Sequence, residues 1–235
     1  MTRIRNLVCL LLLSLTAGTN AAGAEDSYLA DRLGMARVLV DRYDFRDAKV
    51  LSVMREVPRH LFIPRGYQSQ AYADHPVPIG EGQTISQPYI VAFMTEILRL
   101  KPTDRVLEVG TGSGYQAAVA SKLVSEVYTI EIFESLASTA ASALSSLGFR
   151  NVFTRRGDGY YGWKEKAPFD AIIVTCAGAH IPPPLLRQLK NGGRMVMPVG
   201  GPFLAQNLVF IEKESDGSLK QRNVLPVSFV RLLGH

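Results

Sequence analysis

An α/β fold is predicted for this chain of 235 residues, doubly wound about a mostly parallel sheet and preceded by a helical extension. Three observations predict it. Short apolar runs of strand length alternate with helical patterns. The links between them are short and rich in glycine and proline. At one link, Val109-Gly110-Thr111-Gly112-Ser113-Gly114-Tyr115, three glycines stand at alternate positions between a strand and a helix.

Taken in order, Ala36 to Met54 carries helical periodicity through Val38, Leu39, Val50, Leu51 and Met54. Extended chain follows at Ala71–Asp74 and Pro76–Gly80. A polar segment, Gly80 to Tyr89, then leads into a helix over Ile90–Leu100. Arg105–Val109 reads as a buried strand, and a helix opening at Tyr115 carries Ala117, Ala118, Ala120 and Leu123. Val127–Ile130 is a second strand ending in Glu131. The next helix, Phe133–Leu147, stops at Gly148, a C-terminal cap signal. Strands at Val152–Thr154 and Phe169–Thr175 flank Gly157-Asp158-Gly159. Pro182-Pro183-Pro184 opens a helix, since proline fits a first turn, and that helix ends at Asn191-Gly192-Gly193. Met195–Met197 is a fifth strand, stopped by Pro198. In such a sheet ligands sit beyond the strand carboxyl ends, where Glu108, Glu131, Asp158 and Cys176 all fall.

The glycine turn marks a nucleotide corner, because glycines admit a sharp bend and let a ligand approach main-chain N–H groups. A dinucleotide fits poorly. The sixth fingerprint position is Tyr115 rather than glycine or alanine, and Glu108 would repel a pyrophosphate. A cationic, phosphate-free ligand such as S-adenosylmethionine suits that carboxylate. Gly110, Thr111, Gly112 and Gly114 would form its cradle. Glu131, at the interval of about 20 residues where an acidic side chain meets ribose, would accept both hydroxyls. Asp158 would reach the adenine amino group, with Gly159 bending the chain around the ring. The plainer alternatives are a strand-end glutamate and an ordinary Asp-Gly turn.

Composition narrows the class. Arg3 and Arg5, an apolar stretch from Leu7 to Leu15, and Ala22-Gly23-Ala24 read as a secretory signal over residues 1–24. An uncleaved anchor is the alternative. The prediction is therefore an exported protein, periplasmic or secreted, without stable membrane association after cleavage. Loss of Arg3 and Arg5 lowers the formal charge from +5 to about +3. No lysine-arginine block or aromatic-basic interleaving points to nucleic acid. With Cys9 removed, Cys176 has no disulfide partner and reads as a small core residue, and the four histidines lack metal-ligand spacing. No metal is predicted.

Thr84 and Ser86 precede the Ile90–Leu100 helix, where N–H groups and the helix dipole favour an anion. A plain N-cap serine is the alternative. This segment and several others carry a family resemblance. Val57-Pro58-Arg59, Gly82-Gln83-Thr84-Ile85-Ser86-Gln87-Pro88, Glu108 to Tyr115, Gly157-Asp158-Gly159 and Pro168 to Thr175 together resemble the protein-L-isoaspartate O-methyltransferases over nearly all of the chain after the leader, to about Gly200.

The resemblance implies a class I S-adenosylmethionine-dependent methyltransferase fold of Rossmann-like type. It implies one domain over 25–235: a helical extension and substrate loop at 25–100, a cofactor-binding core at 101–200, and C-terminal strands at 201–235. It implies isoaspartyl peptides and proteins as acceptors; the alternatives are a methyltransferase of the same fold acting on a different carboxylate and an exported, non-catalytic binding protein, and the chain is expected to act as a monomer. Ser86 becomes the active-site residue, and Thr84, Ile85, Gln87, Val230 and Arg231 border the acceptor. One departure stands out. The family ends in a Val-x-Phe-Val-Pro-Leu pattern, whereas Val227 to Leu232 places Arg231 at the proline. Arg231 either adds a contact to the acceptor or is a solvated strand-end arginine.

The chemistry is consistent with these residues. A carboxylate with a pKa of about 4 is already ionised at neutral pH and attacks a sulfonium methyl without a general base. The protein has to hold the reactants in line and exclude water. Ser86 would orient one carboxylate oxygen. The acceptor chain's own amide nitrogen then displaces methanol from the resulting methyl ester to close a succinimide, whose hydrolysis returns some normal aspartate.

Overall fold

The computed structural model describes residues 27–201 and 205–235, so the expected leader lies outside the described residues. Seven strands form one sheet in the order β5-β4-β3-β6-β7-β8-β9. Its parallel part comprises β3 (Arg105–Val109), β4 (Glu126–Glu131), β5 (Val152–Arg156), β6 (Phe169–Val174) and β7 (Leu189–Val199). The last two strands, β8 (Gln206–Lys213) and β9 (Leu219–Val227), are antiparallel. Helices α4 (Tyr115–Ser121), α5 (Glu134–Ser146) and α6 (Pro183–Gln188) make the crossovers. Leu107, Ile172 and Ile173 have no exposed surface, as expected of strands covered on both faces.

Before the sheet lie α1 (Leu29–Tyr43), α2 (Ala48–Glu56), the hairpin of β1 (Val77–Gly80) and β2 (Gln83–Ile85), and α3 (Pro88–Ile97). The helices are packed into the main core: Leu39, Met54 and Phe62 share one apolar cluster with Tyr115 of α4 and Leu144 of α5. Among the described residues no helix is long and apolar enough to cross a membrane.

Several boundaries differ from the sequence reading, each for a local reason. The periodic stretch Ala36–Met54 is two helices, not one. Asp44 adopts a left-handed conformation at the end of α1, and Asp47 caps α2 by accepting from Lys49 N and Val50 N. Between them Phe45 turns into the core. Val38, assigned to the apolar face, is 38% exposed, because α1 buries Met35, Ala36 and Leu39 instead.

Helix α6 stops at Gln188, and Asn191-Gly192-Gly193 belong to β7, where they bulge between the Phe169↔Leu189 and Ala171↔Arg194 pairs. Pro198 lies inside β7 rather than ending it. Pairing with β6 has finished by Val196, so a residue lacking an N–H is tolerated there. The end of α5 follows its sequence signal closely. Gly148 has φ +80, and Gly148 N and Phe149 N donate to Ser145 O and Leu144 O at 3.1 and 3.0 Å, a Schellman motif.

Candidate active site

The carboxyl ends of β3, β4 and β6 open into a cleft whose other side is the Gln83–Ser86 segment and Val230–Leu233. Positive φ angles at Gly110 (+95), Gly112 (+53) and Gly114 (+88) turn the chain from β3 into α4. They serve different ends. A Cβ on Gly110 would lie 2.5 Å from Thr175 Oγ1, so β6 occupies the space a side chain would need. Gly114 does not line the cleft; a Cβ there would press on Leu144 and Ala140 of α5. Gly110 and Thr111 donate their N–H groups to Ile130 O at 2.9 and 3.1 Å, which moors the turn to β4.

Glu131 is buried at the end of β4 and ties the turn down a second time. Its Oε2 accepts Gly112 N at 2.8 Å, and its Oε1 accepts Ile132 N and Phe133 N at 2.9 and 3.0 Å. A carboxylate has about four acceptor positions. Three are taken by backbone, so with these bonds intact one position is left for a ribose hydroxyl, not the two read from the sequence.

Glu108 is fully buried in the cleft wall. Thr129 donates its hydroxyl to Oε2, and Thr129 is itself paired with Thr111 at 2.6 Å. Oε1 has no hydrogen-bond donor among the described residues. Burial pushes this carboxyl up to about 8; the Thr129 bond opposes the shift and the charge of Glu131 adds to it. An ionised carboxylate here calls for a cation. Cys176, also buried in the wall, has its thiol pushed up to about 12 by burial and by the same two carboxylates, so it is a poor nucleophile. His180 is bonded to Tyr160 instead, its Nε2 3.3 Å from the hydroxyl.

Gly159 lines the cleft and Asp158 does not. A side chain at Gly159 would run into Val109. Asp158 accepts Tyr160 N at 2.9 Å and, through Oδ2, the main-chain N–H of His235. The tail of the chain therefore covers the carboxylate assigned to adenine, with the His235 ring stacked on Tyr160 at 4.5 Å.

A second cavity adjoins the cleft, walled by Pro76, Gln87, Ile90 and the segment Pro226–Val230. Thr84, Ser86, Thr175 and Val230 line both spaces. Ile85 is buried and pairs with Val77 in the hairpin, facing the cleft only, whereas Gln87 faces the second cavity only. Ser86 is not the cap of α3: Gln87 holds that position, and Tyr89 N donates to Asp74 Oδ1. Among the described residues the Ser86 hydroxyl has no hydrogen-bond partner.

Val230 and Leu232 are fixed to Ala177, through Ala177 N to Val230 O at 2.7 Å and Leu232 N to Ala177 O at 2.8 Å. Arg231 between them is exposed at the cleft rim and makes no ion pair among the described residues. Sequence reasoning missed Thr175, Ile132 and Phe133 as wall residues. Each stands within two residues of a strand end, so the strand-end rule would have found them.

A family model described as protein-L-isoaspartate(D-aspartate) O-methyltransferase matches residues 35–235. The chain is 53% identical over 234 residues to protein-L-isoaspartate O-methyltransferase 2 of Syntrophobacter fumaroxidans, covering 96% of this chain and 95% of the relative. A solved protein-L-isoaspartate O-methyltransferase superposes with a TM-score of 0.78 at 31% identity, over 86% of this chain and 66% of that longer one. A Plasmodium falciparum structure assigned to the same activity, determined with S-adenosyl-L-homocysteine, gives 0.77 at 26% identity and covers 86% and 98% of the two chains.

Proposed function

The chain belongs to the protein-L-isoaspartate(D-aspartate) O-methyltransferase family, and from that premise we propose how its two joined cavities divide the work. It is an S-adenosylmethionine-dependent protein carboxyl methyltransferase that acts on L-isoaspartyl residues. The cleft residues fit the donor. Glu108 presents a buried oxygen with no donor among the described residues, suited to a cation, and Gly110 and Gly112 bring main chain to the cleft wall. The bound donor supplies an electrophilic methyl on a sulfonium.

The residues then take the following parts. Gly110, Thr111 and Gly112 shape the cradle, which Gly114 turns into α4. Glu131 accepts a ribose hydroxyl while holding Gly112, and Glu108 balances positive charge. Gly159, packed against Val109, offers its main chain as the wall beside the adenine. Asp158 takes its amino group once the His235 N–H is released. On the other side Thr84, Ile85, Gln87 and Val230 form the acceptor wall, with Arg231 at the rim. Ser86 donates its hydroxyl to one oxygen of the isoaspartyl carboxylate, leaving the other oxygen directed at the methyl. That carboxylate is ionised at neutral pH, so no base is required. The walls align the reactants and keep water from the anion.

The observation that carries this reading is the wall shared at Ser86, Thr84, Thr175 and Val230, which lets the two cavities meet beside a hydroxyl with no partner among the described residues. Labelled donor incubated with an isoaspartyl peptide and its aspartyl twin tests it. Only the isoaspartyl peptide should be methylated. Ser86→Ala should lower kcat/KM by about tenfold or more, some 1.4 kcal/mol, at unchanged donor affinity. Unchanged turnover would remove Ser86 from the mechanism.

We also propose that the protein is exported and acts as a monomer over residues 25–235. Support for export comes from Arg3, Arg5, the Leu7–Leu15 stretch and Ala22-Gly23-Ala24. N-terminal sequencing of protein from cells should read Glu25 first; a soluble form beginning at Met1 would refute export.

A further inference from the structure

Asp74 lies just before the β1–β2 hairpin on the acceptor side, and its carboxylate collects donors from two parts of the chain, the end of α1 and the start of α3. Oδ2 accepts the Tyr43 hydroxyl at 2.6 Å and the Gln87 amide at 2.9 Å; Oδ1 accepts Tyr89 N at 3.3 Å. The Gln87 amide also donates to the Tyr43 hydroxyl at 3.1 Å, closing a ring of bonds. Tyr43 and Tyr89 stack at 3.7 Å with planes 9° apart. The Asp74 side chain is only 10% exposed, and its nearest cation, Arg42, stands 4.0 Å away with most of its surface in solvent.

These contacts grip Gln87 and Tyr89 on either side of Pro88, starting one residue beyond Ser86. Asp74 caps α3 from a distance, because the Gln87 cap position makes no side-chain cap bond of its own. A negative charge also suits a helix N-terminus. If the cap came from Ser86, its hydroxyl would be spent on the helix. With Asp74 in that place, the hydroxyl can face the acceptor.

We propose that Asp74 is the positioning residue of the acceptor site: by holding Gln87, Tyr89 and Tyr43 it fixes where Ser86 presents its hydroxyl. The proposal rests on the reading of Ser86 as the acceptor's hydrogen-bond donor. It gives the helical extension a catalytic purpose, since Tyr43 closes α1 and meets the loop at this carboxylate, at the Gln87 amide and at the Tyr89 ring. Asp74 touches no reactant and acts through Ser86.

Steady-state methylation of an isoaspartyl peptide, with donor affinity by calorimetry, should be compared for D74A, D74N, Y43F and S86A. D74A should lower kcat/KM by about tenfold or more, chiefly in kcat, since a displacement of about 1 Å can cost a hundredfold. Donor affinity should stay within about twofold. D74N, which keeps one acceptor oxygen but loses the other, should fall between wild type and D74A. Y43F keeps the ring stack and removes one donor to Asp74, so it should lose about threefold. A purely structural role predicts a lower Tm with kcat/KM of the folded enzyme unchanged, and that result would overturn the proposal. So would a loss of donor affinity that matches the loss of kcat/KM. If D74A does not fold, Y43F decides, and wild-type kcat/KM in that variant counts against the proposal. S86A separates the two readings: a silent S86A sinks the role of Ser86 itself, whereas a damaged S86A beside a silent D74A sinks only the inference about Asp74.

Discussion

The donor cleft is tied together over short distances. Gly112 and Glu131, 19 residues apart, meet across adjacent parallel strands, and the turn is moored by backbone bonds to Ile130. The acceptor groove is assembled from afar. Gln87 bonds Tyr43 at a separation of 44 residues, and Pro226–Val230 closes the far wall from the other end of the chain. In the cleft, main-chain geometry does most of the holding, so a substitution should act through backbone strain and show in donor affinity. In the groove, side chains hold side chains, and damage should show in turnover while the donor still binds.

Gly110→Ala should have the largest effect on this contrast. A left-handed residue with a side chain is strained, and its Cβ would stand 2.5 Å from Thr175 Oγ1. Donor affinity should fall by about a hundredfold or more, with the groove intact. Calorimetry giving wild-type affinity would mean that the turn relaxes and the cleft is softer than described. Next comes Glu131→Ala, with an expected loss of about 1.5–3 kcal/mol in donor binding. Three backbone N–H groups also lose their acceptor, so exchange protection at Gly112, Ile132 and Phe133 should drop together. Unchanged affinity would take Glu131 out of the donor site.

How much of this was legible in the sequence follows the same division. Gly110, Gly112 and Gly148 announce themselves because a positive φ is a local demand that glycine meets at little cost. The buried strands were legible as apolar runs for the same reason. Asp74 was not, because nothing near it in sequence shows that Tyr43 and Gln87 will converge on its carboxylate. The helical periodicity read over Ala36–Met54 gave no sign of the break at Asp44, where one left-handed residue ends α1. Pro198 was read as a stop because its lost N–H matters only if a neighbour needs it, which is a tertiary fact. The covering of Asp158 by His235 N–H joins residues 77 apart and was equally out of reach.

A titration sharpens the comparison from the cleft side. Glu108 has its folded-state pKa raised from 4.5 to about 8 by burial. The unfolded chain therefore gives up this proton first, and between those values the folded state binds more protons. Stability of the donor-free protein should accordingly fall as pH rises from about 4.5 to about 8 and level off above, by on the order of 1 kcal/mol or more. Glu108→Gln should flatten that part of the profile in thermal melts and weaken donor binding. A pH profile identical to wild type would show that Glu108 ionises normally.

The smallest effect is expected at the rim, from Arg231. Its neighbours Val230 and Leu232 supply the two bonds to Ala177, and Arg231 N makes no backbone bond of its own. A proline, which the family pattern has here, lacks only an N–H that this position does not use. Arg231→Pro should therefore fold with a stability change within about 0.5 kcal/mol. What changes is charge. An exposed guanidinium contributes about 0.2–1 kcal/mol to a nearby anion, so both Arg231→Pro and Arg231→Ala should lower kcat/KM for the isoaspartyl peptide by about 1.4- to 5-fold at low salt. A solvated charge is screened beyond a Debye length of about 8 Å at physiological ionic strength, so the deficit should shrink as salt is added while donor affinity stays constant. A deficit unaffected by salt would point to a direct, desolvated contact with the acceptor. No deficit at any salt concentration would make Arg231 a solvated strand-end residue and leave recognition of the carboxylate to Ser86.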